Sequence, residues 1–221
     1  MNILFCFLIG LYLITVGFFI GASESKDMFS GIKWTDIGTL LVTFLGFCFG
    51  FITYFRWLNN KKNEDSYLAA KRYLASIDEI EEHLNEMMVN YDALCPVPGA
   101  LIESIAISTR RIEHLYNVYE LLYQSRRNLY KAHRELAFWN VTLTENSKQQ
   151  YIELNKKLDS VGVICSCLTS QLHYLVTNDY KNMNEVINHK KLFNQRYTDI
   201  HKITSQRVSD GFKSMFKFSQ Q

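Results

Sequence analysis

Residues 37–55 read IGTLLVTFLGFCFGFITYF and contain no Asp, Glu, Lys, Arg or His. An α-helix rises about 1.5 Å per residue, so a helix of this length matches the roughly 30 Å of hydrocarbon in a bilayer. Basic and aromatic residues favour the membrane surface, and four of them follow at once: Arg56, Trp57, Lys61 and Lys62. We therefore predict a membrane-spanning helix at about residues 37–56 with these four side chains at the membrane surface.

A second charge-free run precedes it, MNILFCFLIGLYLITVGFFIGAS at residues 1–23. A cleaved signal peptide is the alternative interpretation, but signal peptides usually have a basic start and a shorter apolar core. This run has no Lys or Arg before its apolar core. We favour an uncleaved span at about residues 3–22. Only residues 24–36 separate the two runs, so residues 1–57 are predicted to form a two-helix transmembrane hairpin.

Charges flanking the spans predict their orientation. The connecting segment, residues 24–36, holds two lysines against three acids, whereas the second span is followed by Arg56, Lys61, Lys62, Lys71 and Arg72. Positively charged flanks stay in the cytoplasm. The expected location is the inner (plasma) membrane, multi-pass, with the N-terminus and everything after Arg56 on the cytoplasmic side.

Each apolar run contains a Gly-x-x-x-Gly motif, formed by Gly17 and Gly21 in the first and by Gly46 and Gly50 in the second. Small residues at this spacing let helix backbones approach closely in lipid. The motifs predict close packing, either within the hairpin or between subunits of a homo-oligomer. Neither run holds a charged residue at depth, which argues against a transporter or a proton relay.

The remainder of the chain shows helical periodicity. Pro96 and Pro98 mark a loop, and no long stretch alternates with period two, so strands are not expected. Residues 58–210 are predicted to form a cytoplasmic antiparallel bundle or coiled coil of about four long helices. Thr144 is a candidate N-cap and Gly211 a candidate helix stop. The seam of the second helix has strict heptad spacing: Leu101, Ile105, Ser108, Ile112, Leu115, Tyr119, Leu122, Arg126, Leu129, His133, Leu136.

The third helical segment has a charge-free part, residues 160–178. A third span is one interpretation, but the Ser, Thr, Gln, His and Asn content favours the central helix of a bundle or a subunit interface, buried on most sides. Cys165, Cys167 and His173 raise the question of a metal site. Positions two apart on a helix point in different directions, so we interpret Cys165 as core packing and expect neither metal nor cofactor.

The last residues, 211–221, form a basic aromatic segment. Residues 181–221 hold eight Lys and Arg against three acids. Such a segment could touch anionic lipid headgroups or a nucleic acid; a tail that is solvated or folds onto the bundle is the interpretation we favour. Direct nucleic-acid binding is not expected.

A catalytic motif is hard to find in this sequence. The exception is Arg126, Arg127 and His133, which resemble the Arg-polar-x-His signature of HEPN ribonucleases, a family of helical bundles. The resemblance implies that the arginine and histidine act on the scissile phosphate of RNA, usually across a dimer. Because Arg126 and His133 lie on the predicted seam, where an unsatisfied polar group is costly, we favour a structural pair and do not expect an enzyme.

The plan of the whole chain, a short two-span hairpin followed by a cytoplasmic helical bundle, resembles the membrane effectors of bacterial anti-phage systems, including retron-associated abortive-infection systems. This resemblance is architectural. It implies a toxic effector that a partner complex holds inactive and that damages the inner membrane when released. For a retron that partner would be a reverse transcriptase–nucleic acid complex. A membrane anchor that tethers a cytoplasmic complex through its bundle is the alternative function, and a membrane-tethered ribonuclease is the third.

Overall fold

The computed structural model describes residues 34–95, 103–177 and 183–218. The chain divides into two compact units, residues 1–60 and residues 61–221. The predicted first span at residues 3–22, its Gly17 and Gly21, and the connecting segment up to residue 33 lie outside the described residues.

One helix, α1 (Trp34–Leu94), supplies all of the first unit that is described. Its side chains from residue 41 to residue 57 are exposed except at Phe44 and Cys48, which are half-exposed. Val42 and Phe49 are 69% and 77% exposed. Within the described residues, this helix is the one that is long and apolar enough to cross a membrane. The structure thus supports membrane association through one helix.

The few polar side chains of this apolar stretch bond to the helix itself. The hydroxyls of Thr43 and Thr53 donate to the carbonyls four residues earlier, each at 2.8 Å. The Cys48 thiol does the same to the carbonyl of Phe44. Such local bonding satisfies hydroxyl and thiol groups without water, as a helix in lipid requires.

The second unit is a helical bundle, and at this level the all-α prediction is confirmed. Its long helices are the part of α1 from residue 61 onward, α2 (Ile105–Phe138), α3 (Glu145–Thr177) and α4 (Met183–Asp210). The core takes side chains from all four, including Ile80, Leu115, Leu168 and Phe193. Gly211, at φ +76°, ends α4 as predicted, and Thr144 lies at the predicted N-cap of α3.

The seam of α2 differs from prediction at four described positions, of which the first, Ile105, is 61% exposed at the start of the helix. Ser108, Ile112, Leu115, Leu122, Leu129 and Leu136 are buried as expected. Val118, Ser125 and Ala132 are buried in place of their neighbours Tyr119, Arg126 and His133. A straight helix has 3.6 residues per turn, so its buried stripe drifts by about 20° per heptad from a strict 3.5-residue repeat. The drift moves Arg126 and His133 from the seam to its edge.

The helix α3 is part of the bundle. This agrees with the favoured interpretation of its charge-free part as a bundle helix and not a third span. Its buried side includes Leu158, Val161, Cys165, Leu168 and Leu172. The Tyr91 hydroxyl lies 2.9 Å from Thr169 Oγ1 and 3.3 Å from the Cys165 carbonyl oxygen, so this buried phenol is hydrogen-bonded. The opposite side of α3 is exposed, so α3 is buried on one side and not on most sides.

A small sheet corrects the expectation of no strands. Strand β1 (Val141–Leu143) pairs antiparallel with strand β2 (Phe216–Phe218), which follows the short helix α5 (Phe212–Met215). Three-residue strands are too short for alternation to show in the sequence. Met215 and Phe216 are buried in the core. The described part of this segment, residues 211–218, therefore folds onto the bundle, which is one of the alternatives predicted for residues 211–221.

A row of polar pairs joins α1 to α4. Lys190 pairs with Asp92, and Arg207 pairs with Asp78 at 2.5 Å. Between them lie the Tyr197–Asn85 hydrogen bond (2.5 Å) and the His201–Glu81 contact (2.7 Å). The Lys190 and Arg207 side chains are only about a tenth exposed, so their aliphatic parts are shielded from water.

We expect Arg207→Ala to lower the free energy of unfolding by about 1–3 kcal/mol, since it removes buried aliphatic packing and hydrogen bonds to Asp78 and the Leu74 carbonyl. Arg127→Ala is the matched control, because Arg127 is exposed, and it should change stability by no more than about 0.5 kcal/mol. Thermal unfolding of the full chain in detergent, followed by circular dichroism, compares the two. Equal melting temperatures would show that the α1–α4 pair contributes nothing.

Candidate functional site

The predicted catalytic residues contact different partners. The Arg126 guanidinium lies 2.6 Å from the Asp159 carboxylate of α3. Arg127 is exposed and makes no ion pair with a described residue. The His133 ring stacks on the Tyr151 ring, with centroids 4.1 Å apart and planes 6° apart. Arg126 and His133 both lie at the α2–α3 edge, yet no contact among the described residues joins them. Each therefore has its own partner on α3: an ion pair for Arg126 and a stacked ring for His133.

The His133 ring is half-buried, and burial lowers its pKa below the ordinary 6.5. The imidazole is therefore neutral at pH 7, where it is suited to stacking on Tyr151. Arg196 and His201 on α4 also match the spacing of the Arg-polar-x-His signature. They too have separate partners: Arg196 pairs with Asp199 at 3.3 Å, while His201 contacts Glu81 on α1.

A cleft of about 440 Å³ opens beside His133, at the end of α2, strand β1 and the start of α3. Its walls are mostly apolar, and its polar lining includes His133, Glu145 and Lys148. Arg126 does not line it. The cleft therefore offers one neutral imidazole and one lysine, whereas the ribonuclease signature would need the arginine and histidine to face a common phosphate.

His133→Phe is expected to remove part of the pH dependence of bundle stability. Because the folded pKa of His133 is lowered, the stability it confers is fully present above about pH 6.5 and falls as the pH drops below that value. Phenylalanine keeps an aromatic ring beside Tyr151 and cannot be protonated. Melting temperatures of wild type and variant at pH 5 and pH 8 test this. The wild type should lose more stability on acidification than the variant, and identical losses would contradict the assignment.

The predicted packing glycines that fall within the described residues are Gly46 and Gly50. No described residue lies within 4 Å of the position that a Cβ would occupy at either glycine. The backbone there is open to approach by another helix, which is the property that close packing in lipid requires.

The predicted membrane-surface residues follow the apolar stretch on α1. Arg56, Trp57 and Lys62 are exposed, and the Trp57 ring lies 6.1 Å from that of Tyr54. Lys61 pairs with Glu64 at 3.0 Å and with Asp65 at 3.7 Å. The hydrogen bond that the Lys61 ammonium donates to the Glu64 carboxylate raises the pKa of Lys61 above its ordinary value, so Lys61 keeps its positive charge at neutral pH.

No metal centre is visible in the described part of the chain: no group of three or more His, Cys, Asp and Glu side chains there could hold an ion. Cys165 is buried and contacts the Met87 sulfur, whereas Cys167 is exposed. The two thiols therefore point to different surroundings, as expected for positions two apart on a helix.

Sequence reasoning missed a stripe of tyrosines on the exposed side of α2. Tyr116, Tyr123 and Tyr130 recur every seven residues, and each is roughly half exposed. Charged side chains that make no ion pair within the described residues alternate with them: Glu113, Glu120, Arg127, Arg134. We call these seven residues the tyrosine stripe. The seven-residue spacing is visible in the sequence, but the buried seam of α2 has the same interval, so the spacing alone does not distinguish a surface from a core.

The stripe has the composition of a helix-binding surface. Tyrosine supplies large contact area with little entropy to lose, and it is enriched at interfaces. The charges are acidic in the first half and basic in the second.

Comparison of the chain with known proteins gives no relative: no family model, no curated protein and no solved structure matches it. The functional argument therefore depends on the surfaces described above.

Proposed function

We propose that the protein is a non-enzymatic, toxic membrane effector of an anti-phage defence system, held inactive by a partner complex and acting by assembly or rearrangement in the inner membrane. One observation carries the proposal: the apolar stretch of α1 from residue 41 to residue 55 is exposed around the helix and contains no charge. A contiguous apolar surface of this kind is rare on a soluble monomer and fits a membrane or a partner.

Length and local hydrogen bonding favour the membrane over a partner protein. The stretch matches a bilayer in length, and its Thr and Cys side chains bond to the helix itself. In the proposal, residues 3–22 supply the second helix of a hairpin, and the basic residues after Arg56 keep the bundle in the cytoplasm.

Assembly in the bilayer is proposed to use the glycine positions. Gly46 and Gly50 are four residues apart on one side of α1 and have open space before them. In lipid, helices associate through close packing of small residues and not through a hydrophobic drive. Oligomers of the hairpin, with Gly17 and Gly21 contributing from the first span, are the proposed source of membrane damage.

The bundle is proposed to receive the partner through the tyrosine stripe. The buried side of α2 packs in the core, whereas Tyr116, Tyr123 and Tyr130 are exposed and make no ring contact with a described residue. A partner helix that is basic opposite Glu113 and Glu120 and acidic opposite Arg127 and Arg134 would match the stripe.

The test is the membrane potential of cells that express the chain without its neighbouring genes. A potential-sensitive dye should report depolarisation within the first generations after induction, before RNA is degraded. A membrane anchor would leave the potential intact at the same expression level. Intact potential with the chain present in the membrane fraction would reject the effector function, and RNA cleavage with intact potential would favour the ribonuclease.

Replacing Tyr116, Tyr123 and Tyr130 together by Ser should separate partner control from toxicity. Because the three side chains are exposed, the bundle should stay folded. When the chain is expressed together with its neighbouring genes, the wild type should be tolerated and the triple variant toxic. The control replaces three exposed apolar residues outside the stripe by Ser: Val89, Val163 and Ile187. Toleration of the stripe variant would show that the partner binds elsewhere.

A further inference from the structure

One end of the bundle gathers four separate parts of the chain. The Ser66 hydroxyl of α1 donates to the Trp139 carbonyl at the end of α2 (3.0 Å), and the Tyr67 ring lies 4.9 Å from that of Phe212. The Thr144 N–H, just before α3, donates to the Met215 carbonyl (2.9 Å). Strands β1 and β2 pair at the same place. We call this the strand end of the bundle.

The strand end exposes aromatic rings beside lysines. Phe138 is 76% exposed and Phe218 is 42% exposed. Lys62, Lys213 and Lys217 are exposed and make no ion pair with a described carboxylate, while the Lys71 ammonium lies over the Tyr67 ring, 4.8 Å from its centroid.

Three other cations of this end are paired with carboxylates. Lys61 pairs with Glu64 and Asp65, Arg72 with Glu135, and Lys148 lies 4.0 Å from Glu145. The positive charge that remains available includes Lys62, Lys71, Lys213 and Lys217, and also Arg134. Lys217 precedes the exposed Phe218 directly in the sequence.

Chain length keeps this surface near the membrane. Ser66 follows Trp57 by nine residues, and nine residues reach at most about 30 Å in any conformation. Since Trp57 is the proposed exit from the bilayer, Ser66 of the strand end lies within about 30 Å of the headgroups in any conformation of the chain. Clustered lysines near a membrane are attracted to anionic lipids, and aromatic rings favour the interface.

We propose that the strand end is a lipid-binding surface that docks the bundle on anionic headgroups, with Lys213 and Lys217 supplying charge and Phe138 and Phe218 entering the interface. The inference depends on the proposed membrane insertion of residues 37–56. It extends membrane contact from that helix to the C-terminal segment of the bundle.

Trp139 provides a probe inside this surface, because the chain has three tryptophans and the other two can be replaced. The full chain with Trp34→Phe and Trp57→Phe is placed in nanodiscs of phosphatidylcholine alone or with one third phosphatidylglycerol, each with brominated acyl chains. We expect at least twofold stronger quenching of Trp139 emission in the anionic discs. Adding Lys213→Glu and Lys217→Glu should bring the quenching down to the neutral-disc level.

The matched control reverses two charges at the other end of the bundle, Arg110→Glu and Lys191→Glu, and should leave the quenching unchanged. Equal, weak quenching in both lipids while the chain elutes with the discs would overturn the lipid surface and leave membrane insertion standing. A chain that does not enter the discs would overturn both. An RNA oligonucleotide that changes Trp139 emission when anionic lipid does not would assign the surface to nucleic acid and overturn the proposal.

Discussion

Leu45→Arg combined with Phe49→Arg is expected to move the bundle to the opposite side of the membrane. Both positions lie near the middle of residues 37–56 and are exposed apolar side chains. Each arginine at the centre of a span costs about 2.5–3.5 kcal/mol, so the pair costs about 5–7 kcal/mol and should prevent insertion. The span at residues 3–22 would then be the only one, and it would carry the rest of the chain across.

The measurement is a phosphatase reporter fused after Gln221, which is active only outside the cytoplasm. Wild type should be inactive, and the double variant should rise more than tenfold. Val89→Arg with Val163→Arg is the control, since these exposed residues belong to the bundle, and it should stay inactive. An active wild-type fusion would reverse the orientation. If the variant is absent from the membrane fraction, residues 3–22 do not hold the chain in the membrane. The predicted hairpin would then be reduced to the single span at residues 37–56.

Gly46→Leu combined with Gly50→Leu is expected to reduce depolarisation on expression at least tenfold. The leucine side chains meet open space within the chain itself, so the variant helix should fold and insert normally. They block the close backbone approach that association in lipid requires. The measurement is dye-reported membrane potential at matched protein levels in the membrane fraction.

Gly38→Leu is the control for this experiment, because Gly38 also faces open space and lies outside the Gly-x-x-x-Gly motif. It should remain as damaging as wild type. Full depolarisation by the Gly46 and Gly50 variant would show that assembly does not use these glycines.

Periodicity predicted the bundle well where side chains are large and apolar. The α3 seam from Leu154 to Leu175 is buried as expected, because leucines at three- and four-residue intervals form one apolar side of a helix and that side packs in the core. The prediction of the α2 seam was wrong at Ile105, which is exposed at the start of the helix, and at positions where polar residues shared the stripe. A one-residue shift buries Ser125 and Ala132 and places Arg126 and His133 at the edge. There Arg126 pairs with Asp159 and His133 stacks on Tyr151.

Pairing between distant segments could not be predicted from periodicity. Strand β2 pairs with β1, which lies about 75 residues earlier in the chain, and each strand is too short for an alternation of apolar and polar residues to show in the sequence. The partners of Lys190 and Arg207 on α1 depend on how α4 packs, which no local pattern states. The tyrosine stripe was visible in the sequence, but it is recognised as a surface only once the buried side of α2 is known.

The most direct test of the effector function is leakage from liposomes that contain only the purified full chain. Vesicles of phosphatidylethanolamine and phosphatidylglycerol are loaded with a self-quenched dye, and insertion is verified by flotation. We predict dye release that rises more steeply than linearly with protein density, as assembly requires, and that the Gly46→Leu, Gly50→Leu variant lacks. Sealed vesicles that carry the inserted wild-type chain at every density would contradict the proposed effector function.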